Sequence, residues 1–565
     1  MTTTFRAVLR RGGVSLWLFG SASLAGSLVA LAMPAVLGHA VDATVAGDGG
    51  RWVVLAAALI ALGATAEAVE SVTTTTTTAS GTAWLRNRLV RHLLAIGPDR
   101  ARRFEVGDLV SRVSGNSVEA AYAGVSLVAA VTAALPPLGS LVLLTTMDLT
   151  LGAAFLAGSV LCGLVLRAYA RRTADVVTGY QHVQGRLAAL LTEALAGSRT
   201  IAAAGTLTQE TDRILTPLPD LHRHGRATWE VLSRSVAQAG VAGPAVLVVV
   251  LIAGGLALTA GRISPGELFA AGQYAVIGAG LGQLTGVFGQ IAHARAGGRR
   301  ADEVLAVEPV RYGDRSLPEG PGRLRLRGVS VRDEEQTLLD GIDLDLPGGA
   351  TVAVVGASGA GKSVLAGLAA RLRDPDAGEV LLDGVPLSEL SHAALREAVG
   401  CAFERPVLVG ESVAAAIGAR RPAAEVRAAA RAVYADAFVS RLPEGYDTPL
   451  ARAPMSGGEA QRLGLARAWH ARRLMVLDDA TSSLDMVTEM QVTAALTGPA
   501  PDGPAAGDRA RTRLLMTHRA HTAARSDLVV WLESGRVRAV GRHDELWLRP
   551  EYRAVFGTTA GEPDA

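Results

Sequence analysis

Lysine is almost absent from this chain. Of its 55 lysines and arginines one is lysine, Lys362, and the rest are arginine, in an Ala- and Gly-rich composition that looks like a high-GC bacterial genome. A chain that has drifted so far toward arginine keeps lysine only where a guanidinium will not serve. Lys362 is therefore a marked position before any motif is considered. Cysteine is nearly as scarce: Cys162 and Cys401 fall in different halves of the sequence. Neither has metal-ligand neighbours, so a disulfide framework and a Cys-based metal site are both excluded, and each reads as a small buried apolar residue. The net charge of +2 carries no basic excess, and basic residues do not interleave with aromatics, so nothing points to nucleic acid.

What is abundant is apolar. Hydrophobic residues make up 49% of the 565 positions and the mean hydropathy is +0.28, as expected of membrane spans diluted by a soluble part. Residues 12–41, 120–147, 149–166, 235–261 and 268–294 contain no Asp, Glu, Lys or Arg. Each is about as long as a helix needs to cross roughly 30 Å of hydrocarbon. Residues 52–85 form a sixth candidate, interrupted by Glu67 and Glu70. Six spans are expected.

Arginines set the orientation. Arg6, Arg10 and Arg11 precede the first span, Arg86, Arg88 and Arg91 follow the second, Arg167, Arg171 and Arg172 the fourth, and Arg295, Arg299 and Arg300 the sixth. The opposite turns are nearly bare of positive charge. By the positive-inside bias both ends of the six-span unit face the cytoplasm. The first apolar run is too long for a cleavable signal peptide and lacks a cleavage pattern. Pro136, Pro137 and Pro244 predict kinks in the third and fifth spans. Glu67 and Glu70 share a helical face. They either line a substrate cavity or lie near the inner leaflet, solvated by water or arginine. The threonines of residues 73–78 can bond back to their own helix.

Residues 311–322 read as a linker, and the texture beyond is soluble: residues 351–355, 474–477, 514–516 and 528–532 read as short strands of a buried sheet. The expected fold is an α-helical membrane domain (1–310) with long cytoplasmic helical extensions, followed by an α/β domain (323–556), which its GASGAGKS stretch marks as a P-loop ATPase, and a solvated tail (557–565).

The strand TVAVV runs into GASGAGKS, residues 356–363, and then into an apolar helix. That is G-x-x-x-x-G-K-S in its strand–loop–helix context. Gly356, Ser358, Gly359, Ala360, Gly361 and Val364 belong to a loop whose backbone N–H groups converge on phosphate oxygens at a helix N-terminus. Lys362 is placed to reach the β- and γ-phosphates of ATP, and Ser363 to ligate Mg²⁺. RLMVLDD supplies the second half: Asp478, delivered by a strand, can support the Mg²⁺ shell, and Asp479 follows it. Between them MSGGEAQR sets Ser456, Gly457, Gly458 and Glu459 before an amphipathic helix, where backbone donors and a hydroxyl can meet a phosphate.

The order GASGAGKS, MSGGEAQR, MVLDDATSSLD and LLMTHR resembles the nucleotide-binding domain of an ABC transporter. FEVGDLVSRVSGNSV and LLTEALAGSRTIAAAGTLTQE resemble the cytoplasmic loops of that family's exporters, which contact the nucleotide domains. The resemblance spans nearly the whole chain. It implies that Ser456 to Glu459 close the ATP site of an opposing subunit, that Asp485 is the acid of the loop linking two sites, and that His518 contacts the γ-phosphate. It also implies half a transporter, which pairs with a second half in the bilayer of a bacterial cytoplasmic membrane and exports a peptide, lipid-like or drug-like substrate.

Three positions depart from the family pattern. Asp333 stands where an aromatic stacks on adenine, Glu404 where a glutamine contacts the membrane half, and Asp479 where a glutamate orients the attacking water. Glu404 can still ligate Mg²⁺. Shortening Glu to Asp withdraws the carboxylate by about 1 Å or more, and misplacement of that size costs roughly 100-fold. Asp485, His518 and the Ser-Gly-Gly of the signature are kept. The pattern resembles the weak-site subunit of a heterodimeric exporter. A homodimer with slow hydrolysis through Asp479, or a regulatory subunit that binds ATP without turning it over, are the alternatives.

Overall fold

The computed structural model describes residues 3–45, 50–279, 282–333, 336–418, 421–498 and 511–557. The side chains of 165–178, among them Arg167, Arg171 and Arg172, lie outside the described residues, as does the tail beyond Gly557. The chain divides into two compact units. One comprises Met1–His92 and Phe104–Val307, the other Leu93–Arg103 and Glu308–Ala565.

The first unit is helical throughout. Its long elements are α1 (Thr3–Val45), α2 (Gly50–Ala101, whose last turns belong to the second unit), α3 (Leu135–Met147), α4 (Leu149–Ala196), α5 (Leu218–Thr259), α6 (Pro265–Gly278) and α7 (Gly282–Leu305). Among the described residues three stretches are long and apolar enough to cross a membrane: Thr3–Thr44, Gly50–Ala101 and Val106–Met147. The fourth and fifth expected spans contain the shorter apolar helices Leu149–Leu164 and Gly243–Thr259, and the sixth runs through α6 and α7. Helix count by this measure is thus lower than six, because the later spans are divided or carry side chains outside the described set.

The proline pair acts differently from the expected kink. The third span is not bent at Pro136 and Pro137 but broken before them. One helix ends at Thr132, Ala133 and Ala134 close it, and the two prolines occupy the first turn of α3. A first turn has no intrahelical use for the missing N–H groups, so proline sits there without loss. Pro244 lies inside uninterrupted α5. Asp42 ties α1 to the start of α6, accepting from Ser264 Oγ at 2.5 Å and from the Gly266 amide at 2.8 Å. Ser264 and Glu267 complete a capping box there. Within α2, Thr73, Thr75, Thr76 and Thr78 each bond to a carbonyl four residues earlier. Glu67 is exposed and Glu70 half-buried.

In the second unit β1 (Leu324–Asp333), β2 (Gln336–Leu346), β4 (Ala377–Leu382) and β5 (Val385–Pro386) form an antiparallel sheet in the order β2-β1-β4-β5. The larger sheet takes β3 (Thr351–Val355), β6 (Val399–Phe403), β7 (Leu474–Asp478), β8 (Thr512–Met516), β9 (Leu528–Glu533) and β10 (Arg536–Gly541) in the order β10-β9-β3-β8-β7-β6. All pairings in it are parallel except β10 with β9. Parallel strands are covered on both faces and read as unbroken apolar runs, and all five residues of β3 are buried. The helices that carry site residues are α8 (Lys362–Ala369), α9 (Gly457–Ala468) and α10 (Met486–Thr497). The segment Leu93–Arg103 joins this unit through a hydrogen bond from Val310 to Ala95 and an ion pair between Arg373 and Asp99 at 3.5 Å.

Candidate active site

Ligands in open parallel sheets bind beyond the carboxyl ends of the strands, because the loops there converge while side chains fill the faces. Four neighbouring strands end that way here. In spatial order β3 runs into residues 356–363, β8 toward His518, β7 into Asp478 and Asp479, and β6 into Glu404. Positions 162 residues apart in sequence, such as those paired on β3 and β8, thus become neighbours through register: Val354 lies opposite Met516 and Asp478 opposite both Phe403 and Met516.

The loop after β3 turns on its glycines. Gly359 and Gly361 have φ of +81° and +98°, and a Cβ on Gly361 would sit 2.7 Å from Leu339 Cδ2. Only glycine supplies that conformation freely. Gly356 and Ala360 are buried while Ser358 and Gly359 face outward; Val364, half-buried, is the third residue of α8. Lys362, its first residue, is half-buried and donates to the carbonyls of Gly356 at 2.7 Å and Ala357 at 3.0 Å. Burial pushes its ammonium below the ordinary lysine value, and the negative charges of Asp479 and Asp478 oppose the shift.

Ser363 Oγ donates to Asp478 Oδ1 at 3.0 Å. Burial raises the Asp478 carboxyl above the ordinary value, the Ser363 bond lowers it, and the charges of Asp479 and Glu404 raise it further. A hydroxyl and a carboxylate in contact form a pair of hard oxygen donors, which suits Mg²⁺. Among the described residues no group of three or more His, Cys, Asp and Glu could hold a metal alone. An ion here must therefore take further oxygens from phosphate and water. Glu404 is exposed, with Arg405 as a loose ionic partner at 3.9 Å. A cavity of about 510 Å³, lined among others by Pro98, Asp99, Arg102, Ser363, Phe403 and Asp478, opens beside this pair.

Asp479 is backbone-constrained. Its φ is +47°, its N–H donates to the Met516 carbonyl at 3.3 Å, and its carboxylate lies 3.3 Å from His518 Nδ1. Asp is among the few side chains that tolerate this left-handed region. The residue type that shortens the arm also fits the turn.

The remaining residues of the motif set stand apart from the phosphate loop. Ser456 caps α9 by accepting from the Glu459 N–H, and Glu459 accepts from the Ser456 amide at 2.8 Å. Gly457 and Gly458 form the first turn of α9, with Gly458 close to the Ser483 carbonyl. Among the described residues no hydrogen bond joins these four to residues 356–363. Asp485 caps α10 through the Thr488 N–H at 2.9 Å, and those bonds hold its carboxyl below the ordinary value. Asp333 is exposed at the end of β1, opposite Gln336.

Two side chains carry more of this geometry than the sequence suggested. Gln461, on α9, is 1% exposed and bonds to the loops holding Glu404, Asp479 and Ser483. Glu489, on α10, is buried against Arg519, the residue after His518, and accepts from Thr481 Oγ1 at 3.4 Å. For both, the one available signal is a polar residue on an otherwise core-facing position of a helix.

Comparison with known proteins agrees with this arrangement. Residues 16–278 match the ABC transporter transmembrane region and residues 339–482 the ABC transporter model, a span that contains Lys362, Glu404, Ser456, Asp478 and Asp479. The chain is 47% identical over 541 residues to the ABC transporter ATP-binding protein RamA of Streptomyces coelicolor, covering 95% of this chain and 84% of that protein. It is 33% identical over 405 residues to an ATP-dependent lipid A-core flippase of Chromohalobacter salexigens, covering 69% of this chain and 68% of the relative. A fatty acid ABC transporter ATP-binding/permease protein of Mycobacterium bovis is 30% identical over 455 residues, 78% of this chain and 70% of its own length. The chain is a member of the ABC transporter family, with the helical membrane region and the ATPase that drives transport fused in one polypeptide.

Proposed function

We propose that the chain is one half of an ABC exporter that moves a peptide, lipid-like or drug-like substrate across a bacterial cytoplasmic membrane. Its N-terminus and ATPase domain face the cytoplasm, with a membrane domain at 1–310, a linker at 311–322, the nucleotide domain at 323–556 and a tail at 557–565. The partner is a second half-transporter, different from this chain. Its own site binds ATP through Gly356 to Val364 and turns it over slowly. Mg²⁺, held by Ser363 and Asp478 with Glu404 nearby, supplies charge neutralisation on the phosphate oxygens. Ser456 to Glu459 and Asp485 serve the partner's site.

One observation carries this reading: an intact phosphate loop with its lone lysine faces a short acid, Asp479, in hydrogen-bonding reach of His518. The loop supports binding, and the missing methylene supports slow chemistry. Lipid-handling relatives support an amphipathic substrate, since one is named a lipid A-core flippase and another a fatty acid transporter. The Asp479–His518 contact favours a second reading, a homodimer in which Asp479 itself orients water. ATPase activity of the purified chain alone, against the chain with a half-transporter encoded beside it, separates them. Activity that needs the partner and survives Asp479→Asn supports the heterodimer; robust single-chain turnover abolished by Asp479→Asn supports the homodimer and sinks both the heterodimer and a purely regulatory subunit.

A further inference from the structure

Gln461 is almost wholly buried and uses its entire amide. Its Nε2 donates to the Glu404 carbonyl at 3.0 Å, the Asp479 carbonyl at 3.3 Å and Ser482 Oγ at 3.2 Å. Its Oε1 accepts from the Ser483 N–H at 2.9 Å. The opposite amide orientation would set Oε1 against two carbonyls and Nε2 against an N–H, so the network admits one orientation. These partners belong to two separate loops: the one after β6, and the one that runs from β7 through Asp479, Ser482 and Ser483 to Asp485.

The Asp479 bond matters most. A non-glycine residue at positive φ persists only where its surroundings hold it there. At Asp479 those surroundings are the Met516 carbonyl on its N–H, and Gln461 Nε2 with the Ser482 N–H on its carbonyl. Of these, Gln461 is the one side chain. The same amide fixes the carbonyl of Glu404, so the two acids flanking Asp478 are referenced to one group. That group rides on α9, five residues after Ser456.

We infer that Gln461 is a positioning residue for ATP hydrolysis: it holds the left-handed backbone that aims the Asp479 carboxylate and locks the Glu404 loop to it. The inference rests on the reading of Asp479 given above as a water-orienting acid, whether slow or not. Gln461 touches neither nucleotide nor water in this role. It sets geometry, so its loss lowers the chemical step and leaves binding intact.

The test uses the full chain in lipid nanodiscs with Gln461→Ala and Gln461→Glu. Gln461→Glu keeps an acceptor for Ser483 but turns a carboxylate toward two carbonyls. Single-turnover hydrolysis is measured with protein in excess of ATP, nucleotide affinity by fluorescent ATP, and backbone hydrogen exchange over 403–406 and 478–484. The expected result is a rate about 10- to 100-fold lower, unchanged ATP affinity, and faster exchange in both loops. On an Asp479→Asn background neither Gln461 variant should lower the rate further, as befits two residues acting as one unit. A lowered rate for Asp479→Asn with a normal rate for both Gln461 variants overturns the inference alone. Equal rates for wild type and Asp479→Asn overturn the reading of Asp479 and this inference with it. Equal losses in rate and affinity, or unchanged exchange at 478–484, assign Gln461 to general stability and also overturn it.

Discussion

Asp479→Glu adds one methylene to the side chain that faces His518, and two structural quantities set its outcome. The Asp479 carboxylate stands 3.3 Å from His518 Nδ1, at the long end of hydrogen bonding. The added carbon carries the carboxylate outward by about 1 Å or more, and a displacement of that size at a reacting centre is worth about 100-fold in rate. Against this stands the backbone at φ +47°, where most L-residues lose about 1–2 kcal/mol and Asp or Asn lose less. Asp479→Glu should therefore raise single-turnover ATP hydrolysis by up to about 100-fold while lowering stability by about 1 kcal/mol, or ~2–4 °C in Tm for a domain of this size. Asp479→Asn should lower the slow rate of this site further, though not to zero, at unchanged Tm, because Asn tolerates the same turn. The assay is hydrolysis of labelled ATP with protein in excess, beside a thermal scan of the same preparations. A Glu variant that binds ATP normally and hydrolyses no faster would refute the idea that reach limits this site. An equal Tm loss in the Asn variant would refute the backbone argument.

Lys362 offers the chain's one side-chain amine to acylating reagents, and ATP should block its modification, read by peptide mass spectrometry. Burial lowers its pKa, so the free-amine fraction at any pH below about 10 exceeds that of an ordinary lysine. Its acylation should set in at lower pH than a model peptide's, and coincident profiles would contradict the burial. Asp333→Tyr should tighten ATP binding by about 1–3 kcal/mol, measured by nucleotide titration, if a ring at the end of β1 restores stacking. Glu489→Ala strips the buried partner from Arg519 and should cost about 3 kcal/mol in thermal or denaturant unfolding; a loss under about 0.5 kcal/mol would place the pair among the energetically silent ones.

The turn between β3 and α8 at 356–363 was legible from the sequence, since glycine spacing, a strand before it and a lone lysine are all local signals. The strands read at 351–355, 474–477, 514–516 and 528–532 were legible for the same reason, the last three being one or two residues longer in the structure: buried parallel strands are short apolar runs. What escaped was conformational or long-range. No residue type announces φ +47° at Asp479, and Gln461 reaches Glu404 across 57 positions and Asp479 across 18. Pro136 and Pro137 were visible, but whether a proline pair kinks a helix or starts one depends on where the preceding helix stops. The segment Leu93–Arg103, which belongs to the second unit, contains a break at Gly97, with φ +78° before Pro98, at the end of what otherwise reads as one long helix leaving the second span.

The three departures from the family pattern are not equivalent once placed on the sheet. Asp333 lies on the antiparallel sheet, at the exposed end of β1, apart from the strands that carry Glu404 and Asp479. Glu404 and Asp479 follow adjacent strands, β6 and β7, and their carbonyls share the Nε2 of Gln461. Lys362 and His518 follow β3 and β8, on the other side of β7. The altered acids thus follow β6 and β7, and the residues that keep the family pattern follow β3 and β8. The loop at 404 is bonded through its backbone to the same amide that bonds the 479 carbonyl, which gives a route by which the two positions can couple. Restoring Gln at 404 and Glu at 479 together should then change hydrolysis by a factor unlike the product of the single changes. Strict multiplicativity in that double-mutant cycle, read by single-turnover hydrolysis, would show that the shared amide transmits nothing between them.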